Sequence, residues 1–471
     1  MSVTEPGDTL DLTSARPQYD EYEDPEVEWL DEAPAHWETA RFRFLLETSP
    51  SKTEVRDLPD TTEVSFVPME SVKENGGLDL GETKEIEEVI DGYTYFRDGD
   101  VLVAKITPCF ENRKGALASD LTNGIGFGTT ELHVLRPGPD LDERFLYYVT
   151  MSHPFRKIGE STMYGAGGQK RVSNDFVENL RWPVPSPPEQ DAIATFLDRE
   201  TGRIDALIEK KEELIDLLEE KRTALISRVV TKGLDSDVEM QDSGVEWLGE
   251  IPAQWKTVRL KHLATAPEDG IQMGPYGSML KGLESRDTGY KVYGQENIIS
   301  GEFKAGHRWL SEERFHEMAD RYELQPEDLV LTRKGSIGNS RIVPKGIQSG
   351  IIDSDTIRLR LRWEKIDRHF LQWLLHEAWY MQTKIALVQR GAVLSGLNTN
   401  TIENLIVALP PTDEQEQLVK YLNSEAGRLD EQISTMEEGI DRLKEYRTAL
   451  ISAAVTGKID VREEVAVAPA E

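Results

Sequence analysis

Toward the end of the chain, apolar side chains recur every seven residues: Leu422, Leu429, Met436, Leu443 and Leu450. Ile433, Ile440 and Ala454 follow members of that series by four positions and fill the second seam position of a heptad. The same pattern stands 225 residues earlier as Leu197, Ile204, Leu218 and Leu225, with Ile208, Ile215 and Val229, interrupted by Lys211. A seam sustained this long predicts coiled-coil packing, and about 35 helical residues reach roughly 50 Å. A whole domain of chain separates the two helices, so no tight hairpin is forced. Antiparallel pairing seals both seams, although a generic dimerisation coiled coil satisfies the same pattern. Outward charges such as Glu209, Lys210, Glu212, Glu213, Glu219 and Glu220 read as a solvated face.

Between the helices the period changes. DGDVLVAKI (98–106) and GIGFGTTELHVLRP (124–137) read as strands, as do PEDLVLTRK (326–334) and GIIDSDTIRLRLR (350–362). Helical patterns follow at 142–157 and 367–388, then strand-like exits at 177–188 and 402–411. Pro187 and Pro188, or Pro410 and Pro411, ahead of Glu, Asp and Gln make helix starts.

These segments belong to a tandem repeat. EWLDEAPAHWETARFRFL at 28–45 returns as EWLGEIPAQWKTVRLKHL at 246–263, an offset of 218. The helix that opens EQDAIATFL at 189 returns as EQEQLVKYL at 414, an offset of 225. Shared ends around different middles suit one scaffold doing two related jobs on different targets. The architecture predicted is α+β: two globular mixed α/β domains joined by two long antiparallel coiled-coil helices, in a pseudo-two-fold internal repeat. The boundaries expected are an acidic disordered tail over 1–27, a first domain over 28–186 and its helix over 187–235. A second domain over 246–411, its helix over 412–460 and a disordered tail over 461–471 complete the chain.

Charge changes the picture. The 471 residues hold 54 Lys and Arg against 86 Asp and Glu, a formal net charge of −32. Taken alone this argues against a nucleic-acid binder, because phosphates need cations. A cell with multimolar internal salt, however, favours acidic surfaces in all its proteins, and a halophilic source is the expectation here. The local distribution of Lys and Arg then says more than the total. The first 32 residues carry eleven acids and only Arg16 as a base, a composition that buries too little apolar surface to fold alone. One cysteine, Cys109, excludes a disulfide framework. With no secretory pattern at the N-terminus and no membrane-length apolar run, a cytoplasmic location is expected.

Against that acidity, acid-free basic stretches stand out. RKGSIGNSRIVPKGIQSG (333–350) contains Arg333, Lys334, Arg341 and Lys345, with Ser336 and Asn339 between them. STMYGAGGQKRVSN (161–174) contains Gln169, Lys170 and Arg171. Lys105, Arg113 and Lys114 form a third group around Asn112. Such patches suggest anion contact, and Asn, Gln and Arg can read base edges. The plainer reading is strand-end loops with solvent-facing bases. Catalysis finds little support. GAGGQKR lacks the spacing and final hydroxyl of a phosphate loop. No Asn/Asp-Pro-Pro-aromatic tetrapeptide of amino-methyltransferases is present, and His316-Glu317 and His376-Glu377 lack the second His of a zincin.

The arrangement resembles the type I restriction specificity subunit family from about Glu28 to Asp460. The resemblance rests on Trp247-Leu248-Gly249-Glu250-Ile251-Pro252 with Trp255, on GIQMGPYGSMLKG (270–282), and on YKVYGQENI (290–298). NTNTIENLIVALPP (398–411) and the ending RTALISAAVTGKID complete the set. The first half departs from the pattern. Its segment 49–71 lacks IQMGPYGS, and the FVPMES strand is expected in the place of VYGQENI.

The family implies a non-catalytic subunit whose two target recognition domains each read half of a bipartite double-stranded DNA site. The paired helices set the unread spacer and bind two methyltransferase subunits. Restriction and translocase subunits are further partners. S-adenosylmethionine, ATP and Mg belong to those subunits, and no cofactor or metal is expected in this chain. Gln272, Tyr276 and Lys281 join the DNA-contact candidates through the resemblance of their loop. The alternative is a freestanding sequence-specific DNA-binding regulator. A single-chain restriction-methylation enzyme would need motifs that are missing.

Overall fold

The computed structural model describes residues 16–165, 168–266, 269–276, 279–280, 284–285, 288–333, 338–377 and 397–465. The chain divides into two units, of which only the second follows a single run of sequence. Met1–Lys211 with Glu438–Glu471 makes the first, and Glu212–Glu437 the second. Both long helices are shared: Pro187–Lys232 and Thr412–Val455 each give one part to each unit.

Each unit holds two four-stranded sheets. In the first, Leu46–Thr48, Leu132–Pro137, Val101–Ala104 and Gly115–Leu117 lie in that order, all antiparallel. In the second, Ile271–Met273, Thr356–Leu359, Leu329–Thr332 and Ser340–Ile342 repeat the arrangement. The other sheet of each unit contains one parallel pair, Glu63–Val67 with Ile125–Gly128 and Tyr290–Tyr293 with Gly350–Ile352. The FVPMES strand therefore does stand where VYGQENI stands. The stretches 124–137 and 350–362, each expected to be one strand, are each two strands in different sheets. The short turns at 129–131 and 353–355 carry the chain from the mixed sheet to the antiparallel one.

The repeat extends to individual atoms. Trp37 donates its indole N–H to Glu189 at 3.1 Å, and Trp255 donates to Glu414 at 2.9 Å. The Gln190 and Gln415 amides each accept from a helix N-cap residue, Asp142 or Asp367, and donate to the carbonyl of Pro185 or Pro410. Those contacts explain why the tryptophan of the entry motif and the Glu-Gln of the helix start travel together: they latch each domain to its own helix. Arg136 grips Asp100 bidentately at 2.7 and 2.8 Å, and Arg360 grips Asp328 at 2.9 and 3.1 Å.

The heptad seam is buried unevenly. Leu197, Ile204, Leu422, Leu429, Ile440 and Leu450 are buried, while Lys211, Ile215, Leu218, Ile433 and Met436 are half-buried. A pair of helices alone covers only part of a seam, and full burial comes where a globule adds a further layer. Trp182, Leu450, Ile451 and Val455 share one such core, and Trp255, Leu418 and Leu422 another.

The acidic head, expected to be disordered as far as residue 27, is placed from Arg16 onward. Tyr19 is buried, and the Tyr22 hydroxyl donates to the Gly457 carbonyl at 3.1 Å. Asp460 donates its N–H to Pro17 at 2.8 Å, and Arg16 meets Glu464 at 2.6 Å. The tail likewise continues past 460, with Val461 buried and a helical turn at Arg462–Val465. Composition forbids the head from folding alone, but docking on a finished surface needs only a few contacts.

Candidate nucleic-acid interface

In the first unit, Val101–Ala104 ends at Lys105, whose carbonyl accepts from Val172 at 2.9 Å and whose N–H donates to Glu131 at 2.9 Å. Thr107 donates to the Lys170 carbonyl at 3.0 Å. These bonds bring Lys105 beside Gln169, Lys170 and Arg171, which lie far away in sequence. Tyr164 and Arg171 bond in both directions, making a narrow hairpin. Next to Arg171, Gln169 and Lys170 are exposed, and Tyr164 is 62% exposed. Arg171 is committed to Glu131 through contacts of 2.8 to 3.2 Å, and its hydrogen bonds hold that carboxyl below the usual carboxylate range. Burial lowers the Lys105 ammonium below its ordinary value, against the pull of Glu131. The hairpin thus presents a cation, an amide and an aromatic ring on a braced base.

The third group read from the sequence separates in the structure. Asn112 donates to Glu74 at 2.9 Å and Lys114 to the Met69 carbonyl at 3.1 Å. Arg113, at φ +55°, is half-buried and donates to Thr448 of the second long helix. Arg156 holds this loop from below through the Phe110 carbonyl at 3.1 Å, and burial pushes its guanidinium down to about 9.

Arg333 is the second unit's counterpart of Lys105. It donates its N–H to Asp355 at 2.8 Å, and its carbonyl accepts from Leu397 at 3.1 Å, as Lys105 does with Glu131 and Val172. The two residues stand at the same place in the stretches DGDVLVAKI and PEDLVLTRK, both read from the sequence as strands. The Arg333 guanidinium is spent on the carbonyls of Leu397 at 2.7 Å and Ser354 at 3.3 Å. The Asn339 carbonyl accepts from Thr332 at 2.9 Å. Arg341 lies on the carbonyls of Ile298 and Ile299, and Lys345 faces Glu327 at 3.6 Å. Gln272 is buried, donating to Met273 at 2.7 Å and accepting from Arg321 at 3.1 Å, so it braces the sheet. Two residues on, a Cβ at Gly274 would meet the Asp353 carbonyl at 1.9 Å, which only glycine avoids. Tyr276 is 62% exposed. Lys281, Lys334 and Ser336 lie outside the described residues.

Two cationic groups were not singled out from the sequence. The strand pair Glu38–Arg41 with Arg181–Val184 sets Arg41 opposite Arg181, with Arg43 next to it on Asn179. The pair Lys256–Arg259 with Ile406–Leu409 exposes Lys256 and Arg259, followed by Lys261 on Asn404. The signal was present: residues 251–267 contain four basic or His side chains and no acid.

No helix among the described residues is long and apolar enough to cross a membrane. Comparison with known proteins places the fold. The family model "Type I restriction modification DNA specificity domain" matches residues 50–217 and again 252–444. The EcoAI specificity subunit of Escherichia coli is 47% identical over 163 residues, covering 34% of this chain and 27% of that protein. The matched stretch thus spans about a quarter of that relative's length. The putative MjaX specificity subunit of Methanocaldococcus jannaschii is 20% identical but covers 92% of this chain and 96% of its own. Among solved structures, a chain of a type I restriction-modification system aligns with a TM-score of 0.70 at 17% identity, covering 91% of this chain and 99% of its own. The HsdS subunit of Thermoanaerobacter tengcongensis aligns at 0.53 and 18%, covering 91% and 98%. With both repeats matched, the chain belongs to the type I restriction-modification DNA specificity family, the specificity subunits rather than the catalytic chains of those systems.

Proposed function

We propose that this chain reads a bipartite double-stranded DNA site, one half-site per globular unit, and carries two methyltransferase subunits and restriction subunits. The observation that carries the reading is the pairing of identical latches with divergent loops. Trp37–Glu189 and Trp255–Glu414 hold the two domains in the same way, while the segment GIQMGPYGSMLKG at 270–282 has no sequence counterpart in the matching stretch 49–71. A scaffold used twice for two targets has this form. S-adenosylmethionine, ATP and Mg act in the partner subunits, in the cytoplasm. The net charge of −32 reflects a salt-rich cell interior.

Expressing the chain with its methyltransferase partner and mapping modified adenines tests the reading. Replacing residues 264–397 by the equivalent segment of another family member should change one half of the methylated sequence. A change in both halves, or methylation without a fixed sequence, would sink it. A freestanding regulator would bind its site and recover no methyltransferase on purification.

A further inference from the structure

Most described arginines in this acidic chain are spent on carboxylates, Arg97, Arg144, Arg222, Arg308 and Arg360 among them. The cations of the two short strand pairs are exceptions. Among the described residues no carboxylate pairs with Arg41, Arg43, Lys256, Arg259 or Lys261. Arg259 and Lys261 instead both donate to one oxygen, Oδ1 of Asn404, at 3.4 and 3.1 Å. Two positive groups are thereby gathered at a neutral acceptor with no anion between them. In the first unit Arg43 donates to Asn179 in the same manner. There the cross-strand partner of Arg41 is Arg181, a like-charge pairing that destabilises a sheet unless an anion joins it. Arg181 donates to the Glu26 carbonyl at 2.9 Å and has that residue's exposed carboxylate at 3.9 Å.

Buried residues fix which way these cations point. Phe42 and Leu260 are buried between Arg41 and Arg43 and between Arg259 and Lys261, so the flanking charges face solvent. At about 3.3 Å per residue of the strand Lys256–Arg259 and about 2.0 Å per residue of the 3-10 turn Leu260–His262, Lys256 to Lys261 spans roughly 14 Å, a row of charges rather than a single-ion pocket. What the units share here is the cation at two positions, Arg41 with Arg259 and Arg43 with Lys261, and the asparagine; Lys256 answers to Glu38 and Arg181 to Ile406. The apolar element is not shared: Phe44 is 78% exposed, and its counterpart is His262. A protein-binding hot spot is built round a buried aromatic or arginine anchor, whereas a cation row without such an anchor suits a polyanion.

We infer that Arg41, Arg43 and Arg181 in one unit, and Lys256, Arg259 and Lys261 in the other, hold the phosphates of duplex DNA without reading its sequence. The inference rests on the DNA-reading function proposed above and adds a second contact surface to it. Because the sites sit on scaffold strands that the repeat preserves, they bind the same way whatever each domain recognises.

The test uses the full chain with its methyltransferase partner, a fluorescent duplex of arbitrary sequence and a KCl titration. Each phosphate contact contributes about 0.9 to the slope of log affinity against log salt. The triple variant K256Q/R259Q/K261Q should lose about two to three units of slope. The affinity ratio between site-containing and arbitrary duplexes should stay unchanged. R259K, which keeps the charge, should keep the slope, and circular dichroism confirms that the triple variant is folded. An unchanged slope in a folded triple variant overturns the inference while leaving sequence reading intact. So does loss of methyltransferase co-purification with DNA affinity unaltered, which would make the strand a protein contact. A parent complex that binds no duplex at all overturns the underlying reading instead.

Discussion

The two units solve the same structural problem with the same residues and a different problem with different ones. At the rung between the helices, Arg222 meets Asp430 at 2.7 Å and Glu377 at 2.6 Å in the second unit. In the first, Arg447 meets Asp205 at 3.0 Å and the Asn75 carbonyl at 3.1 Å. Arg447 and Asp430 stand 225 residues after Arg222 and Asp205, so each helix supplies the arginine to one unit and the aspartate to the other. The strand-end position behaves oppositely. Lys105 has its ammonium beside a braced hairpin, whereas Arg333 turns back onto two carbonyls. Positions that hold the scaffold are held in duplicate, and positions that face outward are free to diverge.

The largest effect expected from breaking this symmetry lies in the sheet struts. Asp100 is 1% exposed and Asp328 4%, so removing either arginine partner leaves a buried carboxylate without its cation. R136A and R360A should each cost about 3–5 kcal/mol, because breaking a buried pair is far worse than never having one. Chemical denaturation checks this, and similar losses on the two sides would show the struts to be equivalent. A loss under about 1 kcal/mol in either would show the carboxylate to be better solvated than its burial implies.

A second contrast separates the units by pH. His133 is buried against the Val172 carbonyl at 3.0 Å, and burial lowers it to about 4. The second unit has Ile357 at the matching register position. The unfolded chain takes up a proton below about 6.5, whereas the folded first unit resists until about 4. Stability from this group is therefore complete above 6.5 and falls as pH drops toward 4, by up to roughly 3 kcal/mol at 1.36 kcal/mol per unit. H133I should flatten that slope relative to the parent between those two pH values. An unchanged slope in H133I would assign the acid sensitivity to other groups.

The smallest effects sharpen the outward contrast. K105A should leave the melting temperature nearly unchanged and weaken DNA binding severalfold, with loss of about 0.9 in salt slope. R333A should do the reverse, costing about 1–2 kcal/mol for two lost carbonyl bonds. Equal behaviour of the two would mean that the Arg333 guanidinium leaves its carbonyls when DNA arrives.

The scaffold was legible in the sequence because its physics is periodic or repeated. Heptads mark the helices, and Trp255, Glu414 and Gln415 recur at fixed offsets because each fills a specific bond. The interface was less legible. Acid-free runs located the stretches but not the directions of their side chains. Arg171, Arg341 and Arg113 read as free cations until the structure gave them Glu131, two carbonyls and Thr448. Gln272 carried the right chemistry for base reading, yet it is turned inward by Arg321, forty-nine residues away. Such partners depend on how distant strands meet, and spacing along the chain does not encode them.

The division of the chain also sets an order of assembly. Residues 212–437 of the second unit are contiguous, whereas the first unit needs Leu450, Ile451, Ala454, Val455, Ile459 and Val461 to close its core. A ribosome adding about 5–20 residues per second takes roughly 10–45 s to cross the intervening stretch. For that interval the first domain has emerged, but the core around Trp182 lacks one wall. The unit begun first is therefore completed last, and the docking of Arg16 and Tyr22 on Glu464 and Gly457, just past the second long helix, is among its final steps. A chain truncated before residue 438 keeps every residue of the second unit and deprives the first of its closing helix.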